Sequence, residues 1–214
     1  MDNTLDLNAF RNGTPGAANR MISLASNAGI GLLPLDVFHE KPTTKISGNL
    51  PNISEYRNIA HSPGEWLQAA VMLESVSLAG RFKVPRFGKS NRVLVGNALN
   101  MSAEKLEETS DTETPPDQVF EGGYLIGGRG GSVYGHWLLD FIPQLIIALR
   151  IRDKYGFDFP LLVTNCQKFA IGLIDILGVR EKCVFMCIHK KYSVNRLIVP
   201  MITKHGRRYS TTAL

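Results

Sequence analysis

A histidine and an aspartate four residues apart are the side chains of this chain best suited to acid–base chemistry. His136 and Asp140 belong to the run SVYGHWLLDFIPQL, whose apolar positions recur at helical spacing. Residues i and i+4 of a helix share one face, so the imidazole and the carboxylate can approach each other. A histidine oriented in this way can remove a proton from a substrate hydroxyl. The alternative, which composition alone favours, is a structural histidine bonded to the backbone.

A glycine-rich segment, GGRGG at residues 127–131, comes just before this helix. A dinucleotide-binding loop in that place would read G-x-G-x-x-G, but Val133 or Ser132 occupies a required position in each register. The chain also lacks a G-x-x-x-x-G-K-[ST] phosphate loop. The glycines therefore predict a sharp turn where the backbone closely approaches a neighbour or a ligand. A generic nucleotide-binding α/β protein is disfavoured.

The three cysteines, Cys166, Cys183 and Cys187, predict neither a disulfide framework nor a metal site. Their number is odd and no secretory segment precedes them, which favours a reducing, cytoplasmic compartment. Only His189 lies near the last two, and zinc needs further ligands at suitable spacing. No cofactor and no metal ion is therefore predicted.

The formal net charge of +5 does not by itself indicate nucleic acid. No aromatic ladder and no nucleic-acid-binding motif accompanies the basic residues. They favour a solvated face, with a patch for anionic lipid or nucleotide phosphates as the alternative. No run approaches the ~20 apolar residues of a transmembrane helix, so any membrane contact would be peripheral. The basic excess lies near the C-terminus, at Arg180, Lys182, Lys190, Lys191, Arg196, Lys204, Arg207 and Arg208.

Strands and helices alternate along the second half of the chain, and one of these helices carries His136. Pro143 predicts a kink or a restart within the helix that carries His136, and Gly178 is typical of a helix end. Alternating strands and helices predict an α/β fold with a mostly parallel sheet and flanking helices. The predicted strands cover residues 119–126, 159–164, 183–188 and 197–201, and the predicted helices residues 135–155 and 168–177.

The first half of the chain has weaker sequence patterns, which predict three separate units. Residues 1–45 are rich in Asn, Gly, Ala and Pro and predict a poorly ordered segment. Residues 46–100 predict a small α+β subdomain, with a short helix near Trp66 and strands at residues 76–81 and 92–95. Residues 101–118 are polar and acidic and predict a linker or surface loop. Residues 119–214 then form the α/β domain.

The run from Tyr134 to Leu145, YGHWLLDFIPQL, resembles the hallmark segment of family 61 glycosyltransferases. In that family an aromatic residue and a His-Trp or His-Phe pair precede a carboxylate and then Pro-x-Leu. The flanking EGGYLIGG and FPLLVTNCQKFAIGLIDILGV are also similar to its pattern of strand, turn, helix, strand and helix, over about residues 118–200. Val133 and Gln144 differ from the asparagine and arginine that are common at those positions.

The resemblance implies a single Rossmann-like lobe of a two-lobed GT-B glycosyltransferase. It implies inverting transfer of a hexosyl, pentosyl or N-acetylhexosamine unit from a nucleotide sugar to a glycan or polysaccharide acceptor, without a tightly bound metal. His136 would be the general base and Asp140 its orienting partner. We also expect Arg129, Tyr134 and Trp137 to bind substrate, with a position in the core as the alternative for Trp137.

A donor-binding lobe would need its own β-α-β set, and no such pattern follows Pro200. We therefore expect this chain to be the acceptor-side lobe, incomplete as an enzyme and transferring sugar poorly by itself. The alternative is a non-catalytic α/β binding or interaction module derived from a glycosyltransferase.

Overall fold

The computed structural model describes residues 4–6, 16–40, 64–89, 91–95, 114–201, 204–205 and 208–209. Its helices are α1 (Ala17–Ala28), α2 (Ile142–Tyr155) and α3 (Lys168–Ile176). Its strands are β1 (Thr4–Asp6), β2 (Gly31–Glu40), β3 (Gly64–Ala79), β4 (Val84–Phe87), β5 (Arg92–Val95), β6 (Gln118–Ile126), β7 (Leu161–Val163), β8 (Cys183–Phe185), β9 (Tyr192–Pro200), β10 (Lys204–His205) and β11 (Arg208–Tyr209).

Nine of the described strands form one mixed sheet. Its order is β1-β5-β4-β3-β9-β6-β7-β8, and β2 pairs with the first part of β3. Strand β9 joins the two halves of the chain, because it pairs antiparallel with β3 on one side and parallel with β6 on the other. The remaining two strands, β10 and β11, pair with each other.

The second half has the predicted β-α-β arrangement. Strands β9, β6, β7 and β8 are mutually parallel neighbours. Helix α2 connects β6 to β7, and helix α3 connects β7 to β8. The α/β class and the parallel sheet of this half are thereby confirmed, whereas the sheet as a whole is mixed. Among the described residues, no helix has both the length and the apolar character needed to cross a membrane.

Two apolar cores lie on opposite faces of the sheet. Helix α1 covers one face, where Met21 packs with residues of β3, β5 and β9. Helices α2 and α3 cover the other face, where Leu145 and Ile174 pack with Tyr124 and Ile126 of β6. Strands β6 and β7 both contribute side chains to this second core. The loops that follow these two strands contain residues of the candidate functional site.

The first half of the chain corrects the sequence prediction. Residues 1–45 contain α1 and the ten-residue strand β2 rather than only a poorly ordered segment. The helix expected near Trp66 is instead part of β3, the longest described strand. The sequence did not indicate this strand because β3 lies in the middle of the sheet and both of its faces are buried. Leu67, Ala69 and Ala70 are all at most 2% exposed. Such a strand shows no alternation of polar and apolar residues.

Among the described residues, β3, β4 and β5 continue the same sheet as β6 and β9. The predicted strand at residues 92–95 is confirmed as β5, and residues 76–79 form the end of β3. Of the predicted acidic linker, residues 101–113 lie outside the described part of the chain. Thr114–Asp117 are exposed, and the carboxylate of Asp117 accepts the backbone N–H of Lys191 at 2.7 Å.

Candidate functional site

The glycine-rich loop between β6 and α2 packs against the backbone that follows β7. Gly127 has a φ of +117°, a conformation that side-chain-bearing residues rarely adopt. A Cβ atom at Gly127 would lie 2.5 Å from Oγ1 of Thr164, and one at Gly131 would lie 2.7 Å from the carbonyl oxygen of Asn165. The predicted close approach of backbones at this loop is therefore confirmed.

Two buried side chains hold this loop to the helix that follows it. Oε1 of Gln144 accepts the N–H of Gly127 at 3.0 Å, and its Nε2 donates to the carbonyl of Pro200 at 3.4 Å. The indole Nε1 of Trp137 donates to the carbonyl of Gly131 at 2.8 Å. Trp137 is fully buried, so it supports the loop from the core and presents no surface on which a sugar could stack.

A π-helical turn positions His136 and Asp140. The segment begins with one α-helical turn, Tyr134–His136, continues as a π turn, Trp137–Phe141, and becomes regular only at α2. Inside the π turn the N–H of Ile142 reaches the carbonyl of Trp137, five residues earlier. Pro143 has no N–H to donate to a helical bond. The irregularity predicted at Pro143 is thus present, as a helix that changes type just before the proline.

The imidazole of His136 and the carboxylate of Asp140 are in direct contact. Nδ1 of the histidine lies 2.5 Å from Oδ2 of the aspartate. The Asp140 side chain is fully buried, whereas the His136 side chain remains 35% exposed. A buried carboxylate on one ring nitrogen fixes the orientation of the imidazole and leaves its outer edge toward the surface.

His136 lines a cavity of about 480 Å³ whose walls come from three loops. Arg129 and Ser132 belong to the glycine-rich loop, and Asn165 follows β7. Arg81, from the turn between β3 and β4, also lines this cavity. This volume falls within the ~300–1,000 Å³ typical of small-molecule sites.

A second cavity, of about 530 Å³, adjoins the first and shares Arg81 and Asn165 with it. Its further walls include Gln167, before α3, and His189, in the connection from β8 to β9. Cys166 also lines this cavity. Burial raises the pKa of the Cys166 thiol to about 11, so the group is protonated near neutrality and is a poor nucleophile.

Lys83 binds the β8–β9 connection, which contributes Ile188 and His189 to the lining of the second cavity. It is only 1% exposed. Its Nζ donates to the carbonyls of Gly80 at 2.9 Å, Ile188 at 3.0 Å and Lys190 at 2.6 Å. Burial lowers the pKa of Lys83 to about 8, because the loss of hydration outweighs the charges of Cys187 and Asp117, which favour the ammonium form. The β3–β4 turn and the β8–β9 connection are therefore tied together beside Arg81.

The cavities bring together some of the residues predicted from sequence and separate others. Arg129 and His136 line the same cavity, and Asp140 lies directly behind the imidazole. Tyr134 is 54% exposed and packs edge-on against Phe169, but it is not among the side chains that line either cavity. Trp137 lies in the core, as described above.

Arg81 and Asn165 are site residues that sequence reasoning missed. Asn165 directly follows the predicted strand at residues 159–164, and the ends of parallel strands are where ligands bind in open α/β sheets. That rule could have identified it. Arg81 carried no comparable signal, because its place depends on the pairing of β3 with β9.

The cavity walls are cationic and rich in hydrogen-bond donors. Arg81 and Arg129 carry permanent charges, and none of the described residues that line the two cavities is an aspartate or a glutamate. Within the described part of the chain, no group of three or more His, Cys, Asp and Glu side chains is arranged to hold a metal ion. The arrangement combines an oriented imidazole with a surface that attracts anions.

No family model, curated protein or solved structure matches this chain.

Proposed function

We propose that this chain is a Rossmann-like lobe of an inverting, GT-B type glycosyltransferase, in which His136 activates the acceptor hydroxyl. The observation that carries the proposal is the contact between the buried Asp140 and the half-exposed His136 at the wall of a cavity. The family 61 resemblance of the segment around these two residues supports the same conclusion.

The proposed reaction is a single displacement at the anomeric carbon of a nucleotide sugar. Asp140 accepts the Nδ1–H of His136, so that Nε2 carries the lone pair. Nε2 takes the proton of the acceptor hydroxyl while the oxygen forms the new glycosidic bond. The bond from the anomeric carbon to the diphosphate breaks, and the diphosphate leaves with the electron pair. No covalent intermediate is needed, and the configuration inverts.

The position of the cavity supports this chemistry. It lies at the carboxyl ends of the parallel strands β6 and β7, where ligands bind in open α/β sheets. A π turn inside a helix is also frequent at functional sites.

The test is a transfer assay on the full chain, with radiolabelled nucleotide sugars and a panel of glycan acceptors. Acceptor binding is followed in parallel by the NMR signals of the His136 ring. We expect slow transfer by the wild-type chain, because it is a single lobe, and a further loss of roughly 10²–10⁴-fold in His136→Ala, with the fold retained. Arg180→Ala is the matched control, because Arg180 is exposed, pairs with Asp175 and lines neither cavity.

The other outcomes separate the alternatives. Binding of a glycan without transfer would favour the non-catalytic binding module. Normal transfer by His136→Ala would exclude His136 as the base. A chain that neither binds glycans nor transfers sugar would contradict the proposal as a whole.

A further inference from the structure

The second cavity, of about 530 Å³, borders the N-terminal end of helix α3. The three residues that lead into this helix, Asn165, Cys166 and Gln167, all line the cavity. No side chain caps the helix. Within the described part of the chain, the N–H groups of Lys168 and Phe169 have no hydrogen-bond acceptor. Unpaired N–H groups and the helix dipole together make a helix N-terminus favourable for an anion.

The side chain of Asn165 points independently to a polar ligand at the same place. The residue is only 9% exposed, yet its amide makes no hydrogen bond with any described residue. Neither amide atom is fully sealed in the core, and Asn165 lines both cavities. Because buried polar groups in proteins nearly always have a partner, an unpartnered amide at a cavity is a group that a ligand can satisfy.

Two further side chains give the second cavity a positive and donor-rich lining. Arg81 lines the cavity and pairs with no carboxylate of the described residues. Its guanidinium is permanently charged and presents several donors in a planar fork. His189 adds an imidazole, whose ring N–H can also donate. No described residue that lines this cavity is acidic, so nothing in the lining offsets the attraction for an anion.

The number of donors suits a phosphate group better than a carboxylate. They come from four sources, which are the start of α3, the amide of Asn165, the guanidinium of Arg81 and the imidazole of His189. A phosphate ester presents three strong acceptor oxygens, whereas a carboxylate presents two. The same cavity is lined by the apolar side chains of Met186 and Ile188, which can contact the organic part of a phosphorylated molecule.

We infer that the second cavity binds the phosphate group of a phosphorylated small molecule, held by the start of α3, Asn165, Arg81 and His189. This site is separate from the chemistry of His136, so the inference does not depend on the proposed function. A sugar phosphate and a nucleoside diphosphate both carry the group that these donors recognise.

NMR titration of the ¹⁵N-labelled full chain tests the inference without requiring turnover. The probes are inorganic phosphate, glucose 6-phosphate and UDP, with glucose and uridine as their uncharged counterparts. We expect the amide protons of Lys168 and Phe169 to move downfield with each phosphate and to stay in place with glucose and uridine. Each phosphorylated ligand should bind roughly tenfold or more tightly than its uncharged counterpart, as expected for hydrogen bonds to a charged group.

Two variants and a matched control connect this binding to the named residues. Asn165→Asp keeps the size of the side chain and tolerates the positive φ of +50°, but it places a negative charge at the cavity. Arg81→Ala removes an exposed side chain. Both should weaken phosphate binding roughly tenfold or more. Asn91→Asp should have no effect, because Asn91 also has a positive φ, of +53°, and lines neither cavity.

The outcomes that overturn the inference are distinct from those that concern sugar transfer. Equal affinity for phosphorylated and uncharged ligands would overturn it, as would phosphate binding that leaves the amides of Lys168 and Phe169 unshifted. An equal loss in Asn91→Asp would reduce the effect to general surface charge. Tighter binding of UDP than of glucose 6-phosphate, or the reverse, supports the site and identifies the source of the phosphate. Phosphate binding without sugar transfer would count only against the proposed function.

Discussion

Oδ2 of Asp140 lies 2.5 Å from Nδ1 of His136, and the aspartate is the fully buried member of the pair. A carboxylate in that position can orient the imidazole but has no surface on which to meet a substrate. In the proposed reaction Asp140 is therefore a positioning residue, and its contribution differs in kind from that of His136.

Replacing Asp140 by asparagine should lower turnover less than removing the histidine does. The amide oxygen can still accept the Nδ1–H, so only the negative charge and part of the orientation are lost. We expect a fall in kcat smaller than the roughly 10²–10⁴-fold expected of His136→Ala, with KM nearly unchanged. Steady-state kinetics and thermal melting on the same preparation measure both effects. Asp175→Asn, on the exposed surface, is the control. A wild-type kcat in Asp140→Asn would exclude the positioning role.

Alanine at Gly127 should be far more destabilising than alanine at Gly156. Both glycines have positive φ, but a Cβ at Gly127 would clash with Thr164, whereas one at Gly156 would meet nothing within 4 Å. We expect Gly156→Ala to lower the free energy of unfolding by about 1 kcal/mol. Gly127→Ala should lower it by about 2–5 kcal/mol, because overpacking adds to the backbone strain. Urea unfolding measures the two values, and equal values would contradict the close approach.

Lys83 should make the free energy of unfolding rise with pH in the alkaline range. Burial lowers its pKa from 10.5 to about 8 in the folded chain. Between these two values the unfolded chain binds more protons at this site than the folded chain, so folding is increasingly favoured as pH rises. Below pH 8 both states hold the proton and the contribution is constant.

The measurement for Lys83 is the difference in unfolding free energy between the wild type and Lys83→Met from pH 7 to pH 10. Taking the difference removes the titration of other groups. We expect the wild type to gain stability relative to Lys83→Met as pH increases above 8. A difference that stays constant would show that the amine keeps its ordinary pKa, and one that falls with pH would show that folding raises the pKa.

Cys187 should react with iodoacetamide clearly faster than Cys166 and Cys183. Cys187 is exposed, whereas burial raises the thiol pKa of Cys166 and of Cys183 to about 11. At pH 8 only about one in a thousand of such thiols is ionised, which slows alkylation roughly 100-fold relative to a thiol of pKa 9. Peptide mass spectrometry follows each site, with Cys187→Ser as the control. Rapid labelling of Cys166 would contradict the buried environment.

The second half of the fold could be predicted because its signals are local. Strand β6 is followed by glycines that turn the chain, and Gly178 ends α3 with a φ of +65°. These features act within a few residues of where they occur. The contact of His136 with Asp140 is also local, since the two residues lie four positions apart in one helical segment.

The first half could not be predicted in the same way, because distant pairings decide it. The spacing of Leu67, Ala70 and Val71 is compatible with a helical stripe, yet these residues form a strand that pairs with β9 more than 120 residues later. Arg81 reaches the cavity only as a result of that pairing. A residue placed by contacts remote in sequence leaves no periodic signal around itself.

The central place of β9 has a consequence for synthesis of the chain on the ribosome. Strands β3 and β6 are both its neighbours, and both emerge before it. Until Tyr192–Pro200 leaves the exit tunnel, each of these two strands has an unpaired edge that can associate with other nascent chains. We therefore expect the nascent polypeptide to depend on chaperones up to that point, and the residues that line the cavity to come together only after nearly all of the described strands have been translated.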